Sequence, residues 1–410
     1  MDEQSGEQSS EFPTLTEATY GQALQRAREL AGMSQSKLAE LAGLQRTTIR
    51  NIERDITRAA PDTRLRLAKV LRIDFAAGPA PVEPWSPHQH FAPSYAPLQL
   101  ASEMTAALNA PGGSLDQVFL YLDPQSAVDW MEYSNDAAYV RNFRDRMPLE
   151  AAAAIVVRQI GAVGLDVVAL GAGDGKSETR LTQHLVDLLP QPPDLRLYLL
   201  DISHALLHSA FRYAADSLHI PIYPIHGDFY ELPRYPVLAY RAPHDRRARI
   251  WTFIGNTFGN LSDESEFFLD LHACARAGDF AAVHVQTTWA PASDLAAVRA
   301  ADPASGKAIT GIVERWLSGP IRRHCRGLRD LSMSSEVTSR CQISGSYEWQ
   351  VTATVTLHDG EQRRYVACRF RRYDVGELSG ALRDVGWETV ETWPFGPEPQ
   401  RCALLLLRRL

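Results

Sequence analysis

Asp166-Val167-Val168-Ala169-Leu170-Gly171-Ala172-Gly173-Asp174-Gly175-Lys176-Ser177-Glu178-Thr179-Arg180 is the stretch on which the fold of this 410-residue chain turns. Asp166 to Leu170 reads as a short apolar strand. Leu181, Leu185 and Leu188 then space the apolar face of a helix. A glycine loop between strand and helix lets a ligand approach the backbone where the first helix amides point outward. Two familiar versions of such a loop fit poorly. The dinucleotide fingerprint needs a glycine where Lys176 stands. The phosphate-binding loop matches at Gly175-Lys176-Ser177 but needs an opening glycine where Leu170 stands.

Downstream, three more strands end in polar residues. Leu195 to Leu200 runs into Asp201, whose carboxylate at the end of a second strand can accept from both hydroxyls of a ribose. Pro221 to Ile225 leads to Gly227-Asp228-Phe229, an acceptor for an adenine amino group beside a ring to pack on it. Ile250 to Ile254 leads to Gly255-Asn256-Thr257-Phe258-Gly259-Asn260-Leu261. Four such ends in register line the carboxyl edge of an open α/β sheet, where ligands bind. The expected fold is therefore α/β with a Rossmann-like sheet.

At these residues the chain resembles the class I S-adenosylmethionine-dependent methyltransferases. More narrowly, it is similar to the histidine-specific methyltransferase family, which includes the ergothioneine-pathway histidine N-methyltransferase and fungal enzymes acting on prenylated tryptophan. The resemblance is carried by Leu170-Gly171-Ala172-Gly173 with Ser177 to Arg180, by Asp201-Ile202-Ser203, by Gly227-Asp228-Phe229, by Phe253 to Leu261, and by Ala277-Gly278-Asp279. It implies S-adenosylmethionine as methyl donor, with S-adenosylhomocysteine as product. The donor set it implies is Gly171, Ala172, Gly173, Lys176, Asp201, Ile202, Gly227, Asp228, Phe229, Gly255 and Asn256, and Asn260 inherits a grip on the substrate amino acid. The family's substrate tyrosine and its imidazole-recognising pair fall near Ala300-Ala301-Asp302-Pro303 and Tyr365-Val366-Ala367. Ala169 replaces the usual acid before the leucine. Histidine is accordingly not the expected substrate.

An insertion follows the fifth strand, Phe280 to Thr287. Its second half alternates with period two from Trp349 to Leu357, turns at Asp359-Gly360 and returns from Tyr365 to Phe370. The family uses the equivalent insertion as a substrate lid. Tyr133, Tyr139 and Phe143, on the preceding helical stretch, and Tyr365 complete the expected substrate set. No catalytic acid or base is expected, because methyl transfer from a sulfonium asks the protein mainly for geometry and desolvation. His204 and His208 share a helix spacing but lack a third ligand, so no metal is expected.

The rest of the chain divides by composition. At roughly 100–200 residues per domain, two to four domains are expected. Residues 1–17 carry five acids and no base and read as a disordered tail. Residues 18–75 carry eleven Lys/Arg against six Asp/Glu, inside a chain of net charge −7. A small basic block on an acidic body points to nucleic acid. Here Gly32-Met33-Ser34-Gln35, Leu38-Ala39, Gly43-Leu44, Ile49, Ile52 and Glu53 resemble a Cro/repressor-type helix-turn-helix. Ser34 is the expected N-cap, with Leu38, Leu41 and Ala42 as the apolar face. The expected DNA contacts are Gln35, Arg46, Thr47, Thr48 and Arg50. Seven prolines between residues 76 and 112 read as an interdomain linker, so removal of residues 1–112 should leave methyl transfer intact. The core is then 113–290, the insertion 291–373, and the end of the core 374–410.

Five scattered cysteines exclude a disulfide framework and suit a reducing cytoplasm. No apolar run approaches the ~20 residues of a membrane helix. Function narrows to an N-methyltransferase for an amino acid or amino-acid-derived molecule, of the kind used in secondary metabolism. A homodimer is expected. The alternative function is a helix-turn-helix transcriptional regulator whose methyltransferase-like domain senses the donor or a metabolite.

Overall fold

The computed structural model describes residues 20–410 apart from 32, 55–58, 60–62, 64–65, 68–69, 72–96, 123, 162, 192, 242–244, 256, 262, 289–294, 302–307 and 398–400. The acidic tail, and the linker as far as residue 96, lie outside the described residues. The chain forms two compact units, residues 1–84 and 85–410.

In the first unit, helices α1 (Tyr20–Leu30), α2 (Gln35–Ala42) and α3 (Arg46–Glu53) pack around Leu24, Leu38, Ala39, Ala42, Ile49, Ile52, Leu67 and Leu71. Ser34 caps α2 by accepting from the Lys37 amide at 3.1 Å. Gly43, at φ 64°, closes the turn into α3 in the left-handed region. Leu41 is the exception to the expected apolar face. It is 49% exposed, and Ala39 takes the inward position. Glu53 is buried and accepts from Arg28 at 2.6 Å and from Gln35 at 2.7 Å, which ties all three helices together.

The second unit opens with α4 (Pro97–Asn109), which corrects the expected linker over 76–112. A proline is tolerated in the first turn of a helix, and residues 98–110 contain none. Met104 and Leu108 of α4 are buried against the insertion, and Tyr365 donates its hydroxyl to the Leu108 carbonyl at 2.7 Å. After strand β1 (Gly112–Ser114) come α5 (Pro124–Ser134), a helical segment from Ala137 to Arg144, and α6 (Leu149–Ile160).

The central sheet then begins with β2 (Leu165–Leu170), α7 (Lys176–Leu188), β3 (Leu195–Asp201), α8 (His204–Ser217), β4 (Ile222–His226), β5 (Ala248–Phe253), α9 (Glu264–Cys274) and β6 (Phe280–Thr287). The insertion supplies α10 (Leu295–Ala301), α11 (Gly311–His324), β7 (Leu328–Arg340), β8 (Tyr347–Leu357) and β9 (Gln362–Tyr373). α12 (Val375–Asp384), β10 (Trp387–Phe395) and β11 (Cys402–Arg409) end the chain. The strand order is β4-β3-β2-β5-β6, with β2 to β6 parallel and β11 antiparallel to β6. Every residue of β2 is buried, as expected of a strand covered on both faces.

The expected hairpin is present as β8 and β9. β7, paired antiparallel with β8, was not expected. Its inward positions Leu331, Met333, Ser335 and Val337 alternate strictly, but serines on both faces hide the apolar period. Leu188 is 46% exposed rather than inward.

Asp279, 2% exposed, accepts from the Arg249 amide at 3.0 Å, the Arg276 amide at 2.7 Å and the guanidinium of Arg241. Asp279→Ala strands a buried arginine and two amides. It should cost about 3–5 kcal/mol of stability in urea unfolding. A loss under about 1 kcal/mol would mean that desolvation cancels the pair.

Candidate active site

Four strand ends meet where the order reverses beside β2. The loop after β2 is hung on β3: the Gly171 and Ala172 amides both donate to the Leu200 carbonyl, at 2.9 and 3.1 Å. Asp201 finishes the arrangement. Its two oxygens accept from Gly173 and Ser203, each at 2.8 Å. Burial pushes this carboxyl up to about 6, held from going higher by the amides of Ser203, Gly173 and Ile202. Gly173 stands at φ 56°, and a Cβ there would lie 2.5 Å from the Trp130 ring of α5. A Cβ on Gly171 would lie 3.0 Å from Thr257 and 3.6 Å from Phe229. The loops after β2, β4 and β5 and the cap helix therefore converge on a few backbone atoms.

The remaining expected donor residues divide. Ile202 offers its carbonyl to His226 at 2.9 Å. Asp228 accepts from the Tyr230 amide at 2.9 Å, capping the turn that follows β4. Gly227 is closed over by Tyr235, whose hydroxyl occupies the space of a Cβ. Lys176 turns to Asn135 and stands 3.7 Å from Asp174. Gly255 faces the Tyr139 hydroxyl, 3.8 Å from where a Cβ would sit. Asn256 lies outside the described residues, as do Asp302 and Pro303. Asn260 is half-buried in the turn Phe258–Asn260. That turn is clamped by Arg371 of β9, which donates to the Leu261 carbonyl at 2.7 Å and to Glu264 at 2.6 Å.

Above the sheet edge lies an aromatic group. Tyr133 and Tyr139 are 5.1 Å apart, and Tyr139 and Phe143 are 5.4 Å apart. Trp316 of α11 stacks on Tyr133 at 5.3 Å and 10°. Burial pushes the Tyr133 phenol up to about 12 and Tyr139 higher still, so both stay protonated and can donate but not act as bases. Tyr365 is not in this group. It is buried with Ala367 in the core under α4, and its hydroxyl is spent on the Leu108 and Ala110 carbonyls. It was expected in the site only because the family's imidazole-recognising pair falls near it. Trp130, Trp316, Thr257 and Arg144 were missed, because no local spacing distinguishes them from core residues. His204 and His208 are exposed, and no cluster of metal ligands occurs among the described residues.

Residues 100–283 match the family model for the histidine-specific, S-adenosylmethionine-dependent methyltransferases. That stretch is an S-adenosylmethionine-dependent methyltransferase domain. Residues 24–77 of the methyltransferase match a helix-turn-helix model. Among solved structures, it is similar to an S-adenosylmethionine-dependent methyltransferase from Clostridium acetobutylicum: 9% identity, 69% of this chain and 98% of that one covered, TM-score 0.40. It is also similar to the 1,6-didemethyltoxoflavin-N1-methyltransferase of Burkholderia thailandensis, with 13% identity, 81% and 99% covered, and TM-score 0.36. A third is the sugar N-methyltransferase KedS8 from Streptoalloteichus, with 14% identity, 69% and 93% covered, and TM-score 0.35. No curated protein sequence matches the methyltransferase. No helix of its described residues is long and apolar enough to cross a membrane.

Proposed function

We propose that this methyltransferase N-methylates an amino acid or amino-acid-derived small molecule other than histidine. The observation that carries the reading is the convergence at the glycine loop. Gly173 is bonded to Asp201, Thr257 and Phe229 close on Gly171, and protonated phenols stand over the sheet edge.

The residues present fit the donor. Asp201, buried yet ionised above about pH 6, is a strong acceptor for a ribose diol. Phe229, Ile202 and Asp228 would take the adenine ring and its amino group. The bound donor supplies an electrophilic methyl group. The protein supplies alignment, exclusion of water and neutral hydrogen-bond donors. Tyr133, Tyr139, Phe143 and Trp316 would wall the acceptor, and Asn260 would hold its polar end, on a turn kept rigid by Arg371 and Glu264. With both phenols protonated, neither takes the amine proton, which the acceptor would shed before entering.

Free histidine should be turned over at least a hundredfold less efficiently than the true acceptor. A polar group buried without its partner costs ~1–3 kcal/mol, and Tyr365 and Ala367, which fall near the family's imidazole-recognising pair, are buried in the core with the Tyr365 hydroxyl spent on two backbone carbonyls. Incubation with labelled donor and single amino acids tests this. Efficient trimethylation of histidine would refute it.

Residues 18–75 carry the second part of the proposal, contact with DNA. Arg46, Thr47 and Arg50 are exposed on α3, with Thr48 half-buried beside them. Gln35 donates its amide inward to Glu53, so it is positioned rather than free to swing. One such domain buries little surface, so useful affinity calls for a homodimer spanning two half-sites. Arg46→Ala and Arg50→Ala should each weaken a gel shift and flatten its salt slope by about one phosphate contact. No shift at low salt with any duplex from the native locus would make the module a docking or dimerisation element.

A further inference from the structure

The helical segment from Ala137 to Arg144 ends in a guanidinium packed beside the glycine loop. Arg144 keeps 11% of its side-chain surface and Asp174 keeps 7%, and the two meet at 2.8 Å. Arg144 also donates to the Asn135 side-chain oxygen at 3.3 Å and lies 5.9 Å from the centre of the Tyr139 ring. Lys176 donates to the same Asn135 oxygen. The Arg144 carbonyl in turn accepts from Arg180, which holds the segment's end in place.

Two features of this cluster are unbalanced. The first is charge. Arg144 and Lys176 share a single carboxylate, Asp174. Glu178, in the first turn of α7, is pushed up to about 8 by burial and is mostly neutral at pH 7. Asp201 is committed to the amides of Gly173 and Ser203. The second is hydrogen bonding. The Arg144 Nε is buried and has no partner among the described residues. The start of α7 adds a partial positive charge at the same place. The cluster lacks one anion, small enough to sit at a helix start and able to accept from a guanidinium.

We infer that Arg144 binds the carboxylate at the amino-acid end of the methyl donor, with Lys176 as the second cation. This rests on the donor site proposed above. An amino-acid acceptor carries the same kind of carboxylate. The donor is favoured because Asp174, which holds Arg144, directly follows Gly173, whose amide is bonded to Asp201. A pair of charge-assisted bonds to a planar carboxylate also explains why the residue is arginine.

Calorimetry on the full chain separates the sources. The probes are S-adenosylmethionine, S-adenosylhomocysteine, decarboxylated S-adenosylmethionine and methylthioadenosine. Arg144→Gln should weaken the first two about thirtyfold and leave the last two, which lack the carboxylate, unchanged. Arg144→Lys should recover part of the loss, and it serves if the glutamine variant fails to fold. If all four probes weaken together, Arg144 only supports the loop and the inference falls. If the binding of all four is unchanged, it falls as well, and the cation belongs to the acceptor. Wild-type protein that binds none of the probes would overturn the donor site itself.

Discussion

Asp201→Ala should weaken binding of S-adenosylmethionine and S-adenosylhomocysteine about a hundredfold. Two ribose hydroxyls donating to one buried carboxylate are charge-assisted bonds, each contributing roughly 1.5–3 kcal/mol. The same carboxylate holds the Gly173 amide at 2.8 Å, so its removal also loosens the loop. Asp201→Asn, which keeps shape and one acceptor oxygen, should lose less. The effect carries a pH signature. Burial sets this carboxyl at about 6. Below that value it is protonated, so donor affinity should fall as pH drops through 6 and stay flat above 7. Conformational stability runs the other way. The folded value lies above the ~3.9 of an unfolded aspartate, so ionisation costs the folded state about 3 kcal/mol, accumulating as pH rises from about 4 to 6. Asp201→Asn should flatten both profiles. Calorimetry from pH 5 to 8 reads the first and urea unfolding the second. Equal binding by wild type and Asp201→Ala would take Asp201 out of the site.

A chain beginning at residue 97 should keep donor binding and methyl transfer, whereas one beginning at residue 113 should lose both. The second cut removes Met104 and Leu108, 2% and 0% exposed, from the core under β7 to β9. Each such loss costs roughly 2–5 kcal/mol, and together they approach the whole stability of an ordinary domain. The cut also leaves the buried Tyr365 hydroxyl without the Leu108 and Ala110 carbonyls. Both chains lack residues 18–75 and should bind no DNA. Circular dichroism melts with donor titrations would separate the two. Equal stability would make α4 dispensable.

This second expectation corrects one drawn from proline spacing, and the reason is general. Prolines mark where a helix cannot continue, but Pro97 sits in the first turn, the one place where its missing amide costs nothing. What could be read correctly was local. Leu165 to Leu170 is buried on both faces, and the glycines that follow take the left-handed backbone a strand-to-helix turn needs. Asp201 closes the strand that the apolar run Leu195 to Leu200 announces. What could not be read was assembled across the chain. Trp130 meets Gly173 and Tyr133 meets Trp316 only because α5 is wedged between the sheet edge and α11. Arg144 meets Asp174 from thirty positions away along the chain. Tyr365 was expected in the site from its place near the family's imidazole-recognising pair, but it is buried with Met104 and Leu108 in a separate core.

The insertion is joined to the central sheet rather than hinged on a loop. β9 lies beside the end of β6 through Gln286↔Arg372 and Thr287↔Tyr373, and Tyr373 also reaches Glu264. Lifting β7 to β9 would tear ladder bonds in the middle of an eleven-stranded sheet and break a buried ionic knot. Such a wall is fixed by backbone ladder bonds and a buried ion pair. On the opposite flank, α5 and residues 137–144 are held to the glycine loop by side chains: Arg144 on Asp174, Lys176 near Asn135 and Trp130 beside Gly173. Opening on that flank breaks a few polar contacts and no sheet ladder, so exchange of donor and product is expected there.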